Sequence, residues 1–310
     1  MKKAILLLNM GGPSSLDEVE LFLRNMFNDP NILQTNPILR KFISSIIVKK
    51  RLNEAKENYK EIGGKSPLLE ITTSLSSKVT NLTNIPTYPI MRYVPPFAKE
   101  RLLELKEQNV EELILFSMYP HYSTTTTKSS IDDILNTLKE INYNPKIKII
   151  DRYFDNKEYI KIQASLIVEA LEDKNPKDIK LIISAHGLPV DIIKKGDPYP
   201  KHIEENTKLL KEELKEKGVE FKEVELAYQS KVGNSAWLEP NLVDVLRHPT
   251  NLNTLIFPIS FTIDNSETIF ELDIEHKEIA NKLGYNYYRV VKCPNNRDEF
   301  AKLISLLATT

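Results

Sequence analysis

A histidine and a row of carboxylates carry the chemical signal in this 310-residue chain. His186 is one of five histidines, with His121, His202, His248 and His276. It closes an apolar, strand-like run, Ile179–Ala185, and enters a Gly187-Leu188-Pro189 turn. Open α/β sheets present functional groups beyond the carboxyl ends of their strands. A lone histidine can equally be a packed structural one, and spacing alone leaves both readings open. Glu267, Glu271 and Glu275 recur every four residues. On an α-helix they would fall on nearly one face and repel, as on an ordinary solvated face. Against that reading, the row follows the apolar run Thr254–Ile259, so its start lies at the ligand end of a sheet. A repeat of four also exceeds the α-helical 3.6. A wider π-type turn would align the carboxylates better, and such turns gather at functional sites. Imidazole set against carboxylate is chemistry for metals and protons.

The rest of the composition removes alternatives. The formal net charge is −1, which gives no bias toward nucleic acid. Hydrophobic residues make up 41% and charged residues 27%, as in ordinary soluble domains. The single cysteine, Cys293, precludes a disulfide within the chain and a four-cysteine zinc or iron–sulfur site. Asn9-Met10-Gly11-Gly12-Pro13 is neither a P-loop nor a complete G-x-G-x-x-G fingerprint, and no HExxH, G-x-S-x-G or CxxC occurs. Met1-Lys2-Lys3 before Ala4–Leu8 looks like the start of a signal peptide, but the apolar stretch is short and no cleavage pattern follows. It reads as a first strand. No apolar run approaches the ~20 residues of a membrane span, so a cytoplasmic protein is expected.

These groups must be positioned by alternating elements. Strands are predicted at Ala4–Met10, Tyr88–Val94, Leu113–Met118, Ile147–Tyr153, Ile179–Ala185, Glu220–Tyr228, Thr254–Ile259 and Tyr287–Val291, each followed by a segment of helical period. Short apolar strands between helices predict parallel sheets covered on both faces, a doubly wound α/β architecture. Leu7-Leu8-Asn9-Met10-Gly11-Gly12-Pro13 resembles Ile183-Ser184-Ala185-His186-Gly187-Leu188-Pro189. The chain is therefore expected to form two similar four-stranded lobes, 1–154 and 155–310, around a central cleft. The last helix is placed where it could pack back on the first lobe. An insertion over about 28–85 carries Leu33, Ile38, Leu39, Phe42, Ile43 and Ile46 at partly helical spacing. Core-facing helix and exposed lip remain equal readings.

Eight motifs, in order, identify the chain as similar to one family. They are Leu8-Asn9-Met10-Gly11-Gly12-Pro13, Ile62-Gly63-Gly64-Lys65-Ser66-Pro67, Met91-Arg92-Tyr93, Tyr119-Pro120-His121-Tyr122-Ser123, Ser184-Ala185-His186-Gly187-Leu188-Pro189, Gly196-Asp197-Pro198-Tyr199-Pro200, Gln229-Ser230-Lys231-Val232-Gly233 with Trp237-Leu238, and Asp264–Glu275. Together they resemble ferrochelatase. The resemblance implies two Rossmann-like lobes of the chelatase fold and the insertion of Fe²⁺ into a porphyrin. By it, His186 and Glu267 are the catalytic pair, and His186, Glu267, Asp264, Glu271 and Glu275 are the metal-handling groups. Met10, Arg51, Tyr59, Ser66, Arg92, Tyr93, Tyr119, Ser123 and Trp237 match positions that line the macrocycle or hold its propionates. Many members carry a histidine where this chain has Asn265, so a mechanism that needs that imidazole is not expected here.

Iron and porphyrin are then substrates, and no tightly bound cofactor or iron–sulfur cluster is expected. Met10 points to protoporphyrin IX, because members specialised for coproporphyrin usually carry tyrosine there. The insertion, flanked by Arg40, Lys41, Lys49, Lys50 and Arg51, is suited to rest on an anionic membrane surface, making a peripheral monomer at the inner face of the plasma membrane. Coproporphyrin ferrochelatase, a cobalt chelatase of the same fold and a non-catalytic haem-binding protein are the rival readings.

Overall fold

Eight strands form two separate parallel sheets in the computed structural model, which describes residues 1–233 and 235–310. The chain divides into two units, Met1–Arg152 with Asn296–Thr310, and Tyr153–Asn295.

The first unit contains β1 (Lys3–Asn9), β2 (Thr87–Met91), β3 (Glu112–Ser117) and β4 (Lys146–Ile150), ordered β2-β1-β3-β4. β1 is apolar on both sides, with Ala4 to Leu8 all at 1% exposure or less, because helices cover both faces. Helices α1 (Glu18–Asn28), α2 (Pro37–Glu61) and α3 (Leu68–Thr83) separate β1 from β2. α4 (Ala98–Glu107) links β2 to β3, and a π-helix (Thr124–Lys128) runs into α5 (Ser129–Glu140) before β4. One core face joins Leu6, Leu8, Leu102, Leu105, Leu115 and Ile134.

The second unit contains β5 (Lys180–His186), β6 (Glu223–Gln229), β7 (Asn253–Pro258) and β8 (Tyr287–Val290), ordered β6-β5-β7-β8. The two orders are the same permutation, which is the repeat expected from the sequence. α6 (Lys157–Leu171) precedes β5, and α7 (Val190–Lys194) and α8 (Tyr199–Glu216) lead to β6. α9 (Leu242–Arg247) precedes β7. A second π-helix, Glu267–Glu275, continues as α10 (His276–Lys282) before β8. Ile182, Ala227, Leu246, Ile256 and Leu272 close one core face.

The final helix, α11 (Asp298–Thr309), belongs to the first unit. It buries Phe300, Ala301, Leu303, Ile304 and Ala308. Lys148 of β4 donates to the terminal carbonyls of Leu307 (3.0 Å) and Ala308 (3.1 Å). Those carbonyls have no intrahelical partner, and a cation there also suits the helix dipole.

The insertion resolves into α2 and α3. α2 packs on α1 through Val48 and Tyr59, which join Val19 and Leu23. Its first half also carries an exposed apolar face: Ile38 is 84% exposed, Phe42 65%, Ile46 54% and Leu39 44%. The core-facing reading therefore holds for the face with Ser44, Val48 and Tyr59, and not for the one with Ile38, Leu39, Phe42 and Ile46.

Candidate active site

His186 is the last residue of β5, and the surrounding chain fixes it from three sides. Its backbone N–H donates to Ser260 Oγ (3.0 Å), and its carbonyl accepts from Tyr199 Oη (3.0 Å). Tyr199 and Ser260 hydroxyls meet at 2.7 Å, and Asp197 Oδ1 accepts the Tyr199 N–H. The Gly196–Pro200 motif thus serves to seat the strand end. His186 Nδ1 lies 2.6 Å from the Gly187 carbonyl. A carbonyl only accepts, so Nδ1 carries the proton and neutral His186 keeps its lone pair on Nε2. Gly187 must be glycine: a Cβ would meet Gln229 O at 2.8 Å and the Trp237 ring at 3.3 Å. Trp237 is therefore packed beside Gly187, the residue after His186, and it bridges to Pro189.

Nε2 faces Glu267 Oε2 at 3.4 Å, with the two side chains 33% and 26% exposed. Glu267 opens the π-helix, and the row continues along it to partly buried Glu271 and then to exposed Glu275. Ser230 N–H (2.7 Å) binds Glu271 Oε1, while Ser230 Oγ (2.6 Å) and Gln229 Nε2 (3.1 Å) bind Oε2. Ser184 Oγ holds Gln229 Oε1 in turn (2.7 Å). Burial first, and the neighbouring Glu267 second, push Glu271 up to about 7. The Ser230 hydrogen bond works against that rise. Ser230 has a left-handed backbone, φ 65°, which aims its N–H and hydroxyl at one carboxylate.

Asp264 departs from the expected metal set. It is 6% exposed, and its oxygens accept from Asn295 Nδ2 (2.7 Å), Thr268 Oγ1 (3.2 Å) and the Cys293 N–H (3.3 Å). It ties the segment after β8 to the head of the π-helix. Among the described residues, no three His, Cys, Asp or Glu groups are disposed to hold a metal ion. The five expected groups are therefore a facing pair with an acidic row behind it, and one framework residue.

In the first unit the expected macrocycle contacts divide. Met10 and Arg51 are partly exposed. Tyr59 and Ser66 are buried but converge on Gly12, whose Cβ would lie 2.5 Å from Ser66 Oγ and 4.0 Å from Tyr59 Oη. Four others serve the framework instead. Arg92 bridges Asp29 and Asp133, each at 3.2 Å. Tyr93 is 2% exposed and donates to Asp29 Oδ2 (3.0 Å). Tyr119 Oη accepts the Met10 N–H (2.7 Å) and donates to Asn9 Oδ1 (3.1 Å). Ser123 is 2% exposed and caps the first π-helix at the Thr125 N–H (3.2 Å). A buried polar group must find a partner in the fold, and these four have found theirs.

The family model named Ferrochelatase matches residues 2–310. The chain belongs to the ferrochelatase family. Its members are enzymes that insert ferrous iron into a porphyrin, the metallating step of haem synthesis, and this chain is such an enzyme. It is 49% identical to the Ferrochelatase of Campylobacter concisus, over 98% of this chain and 96% of that one. It is 48% identical to the Ferrochelatase of Wolinella succinogenes, over 98% and 97%. Among solved structures, SirB from Bacillus subtilis with Fe³⁺ aligns over 100% of this chain and 96% of its own, with TM-score 0.59 at 12% identity. That likeness concerns the fold. The chelatase fold expected from the motifs is the fold found.

Sequence reasoning gave no role to Tyr199, Ser260, Gln229, Ser230 or Gly187. Tyr199, Gln229, Ser230 and Gly187 stand inside quoted motifs, which was a usable signal. Ser260 carries none, because its partnership with His186 depends on β7 lying beside β5.

Proposed function

We propose that the chain inserts Fe²⁺ into protoporphyrin IX, giving protohaem and two protons, with His186 and Glu267 as the reacting pair. The observation that carries this is the Nε2 lone pair of His186 directed at Glu267 Oε2 across 3.4 Å. Neutral imidazole, protonated on Nδ1, offers its Nε2 lone pair to a pyrrole proton. Glu267, a hard anionic oxygen ligand, receives the iron as it arrives. Glu271 and the exposed Glu275 continue the carboxyl row along the π-helix. Trp237 supplies an aromatic face beside Gly187, and Tyr59 and Ser66, around Gly12, are proposed as propionate contacts. Binding energy from such remote contacts favours the bent macrocycle, which exposes the pyrrole nitrogens.

Met10 and the exposed apolar face of α2 favour protoporphyrin over coproporphyrin. Vinyl groups gain from apolar contact at ~25 cal/mol per Å², whereas two further unpaired carboxylates are costly to desolvate. The same face of α2, followed by Lys49, Lys50 and Arg51, fits the surface of an anionic bilayer. Competition kinetics with both porphyrins at equal concentration, followed by metalloporphyrin absorption, test the substrate. The kcat/KM is expected to favour protoporphyrin IX; a preference for coproporphyrin III overturns the choice.

A further inference from the structure

Glu267 and Glu271 are held in opposite ways. Glu271 has both carboxylate oxygens fixed by Ser230 and Gln229. Glu267 Oε2 is buried with no hydrogen-bond partner. The direction of the Glu267 side chain therefore depends on the backbone that carries it. That backbone is the first turn of the π-helix, and Asn265 organises it. Asn265 Oδ1 accepts the Glu267 N–H at 2.7 Å, and Nδ2 donates to the Ile263 carbonyl at 3.2 Å. The Asn265 N–H donates to Thr268 Oγ1 (3.0 Å), and its carbonyl accepts the Ile269 N–H (3.0 Å). All four polar groups of one residue are engaged, in a reciprocal pattern like a capping box. Side-chain oxygens of asparagine are suited to this, since they bond the backbone two residues on.

We infer that Asn265 is a positioning residue for Glu267: its side chain fixes the opening turn of the π-helix so that the Glu267 carboxylate faces His186 Nε2. This rests on Glu267 being a reacting group. A reacting group displaced by about 1 Å can lose ~10²-fold in rate, and Oε2 has no hydrogen bond to restore the geometry.

The test uses the full-length enzyme with Fe²⁺ and protoporphyrin. Asn265→Leu keeps nearly the same shape and removes both polar atoms. It is expected to lower kcat by ~10-fold or more, with the porphyrin KM within ~2-fold, as for lost alignment rather than lost binding. Asn265→Ser restores an acceptor for the Glu267 N–H and should bring kcat back to within ~3-fold of wild type. Wild-type kcat in Asn265→Leu overturns the inference. So does an Asn265→Ser variant as slow as Asn265→Leu, or a loss tracked entirely by a lower Tm and a raised KM. If Asn265→Leu does not fold, Asn265→Gly against Asn265→Ser makes the same comparison. Glu267→Gln is run beside them. If it keeps wild-type kcat, the reading of Glu267 itself fails; if it is inactive while Asn265→Leu is not, only the positioning role fails.

Discussion

Met10 and His186 occupy the same place in two sheets of the same order. Met118 donates to the Leu8 carbonyl in one unit, and Ile259 to the Ser184 carbonyl in the other. One residue further on, Tyr119 Oη accepts the Met10 N–H and Ser260 Oγ accepts the His186 N–H. Each third strand then leads through a short loop, 118–123 in one unit and 259–266 in the other, into a π-helix. Counted along the chain from Met118 and Ile259, Thr126 falls at the position of Glu267, and Ser130 at that of Glu271. The pair after the second strand is also matched, Arg92-Tyr93 against Gln229-Ser230, by the registers of Asn9 with Met91 and His186 with Gln229. In both units that pair reaches the helix after the third strand. Arg92 Nε donates to Ser129 Oγ (3.1 Å), while Gln229 and Ser230 hold Glu271. One scaffold thus carries two different end states. In the first unit the charges at the strand ends are closed on one another: Asp29 takes Arg92, Tyr93 and Ser129. In the second a histidine and a carboxylate face each other, with Glu267 Oε2 left without a hydrogen bond. Substitutions at these positions should therefore act on stability in the first unit and on turnover in the second.

The sharpest break of that contrast would come at His186. His186→Ala should lower kcat by ~10²–10⁴-fold, the range for a lost general base, without a change in Tm. Met10→Ala, its counterpart, should fall far less. A His186→Ala enzyme that keeps more than about a tenth of wild-type kcat, a loss below ~1.4 kcal/mol, would remove the distinction between the units.

Arg92→Met should produce the opposite signature. It leaves the Asp29 carboxylate, whose side chain is 0% exposed, without its cation. Breaking a buried pair by removing one partner costs about 3–5 kcal/mol. The hydroxyls of Tyr93 and Ser129 remain on Asp29, so a loss of about 3 kcal/mol is expected in urea unfolding. Unchanged stability would mean that the first unit's charges are not its framework.

A smaller effect belongs to the one element with no counterpart in the second unit, the exposed apolar face of α2. Replacing Ile38 and Phe42 together by serine should leave stability nearly unchanged, since both are exposed. Co-sedimentation with phosphatidylserine-containing vesicles should drop several-fold, as apolar insertion area is lost. Equal sedimentation of variant and wild type would separate α2 from any membrane contact.

The eight strands, their parallel sense and the twofold repeat were legible in the sequence, because short apolar runs between helical periods admit few arrangements. The wider turn at Glu267–Glu275 was also legible, since a carboxylate spacing of four misfits an α-helix. His186 and Glu267 stood out because strand ends are where such sheets present chemistry. The tertiary structure alone decided which of the neighbouring polar residues face one another and which are tied into the framework. Asp264 is as acidic in sequence as Glu267, yet Asn295, Thr268 and Cys293, near or distant along the chain, satisfy it. Arg92, Tyr93, Tyr119 and Ser123 read as ligand contacts until their partners across the unit are in place. The partners of Arg92, Tyr93 and Tyr119 come from other strands and helices at large sequence separation, whereas Ser123 caps Thr125 two residues on. Local pattern fixes the period and face of an element, but the pairing of a buried polar group is set only when the elements pack.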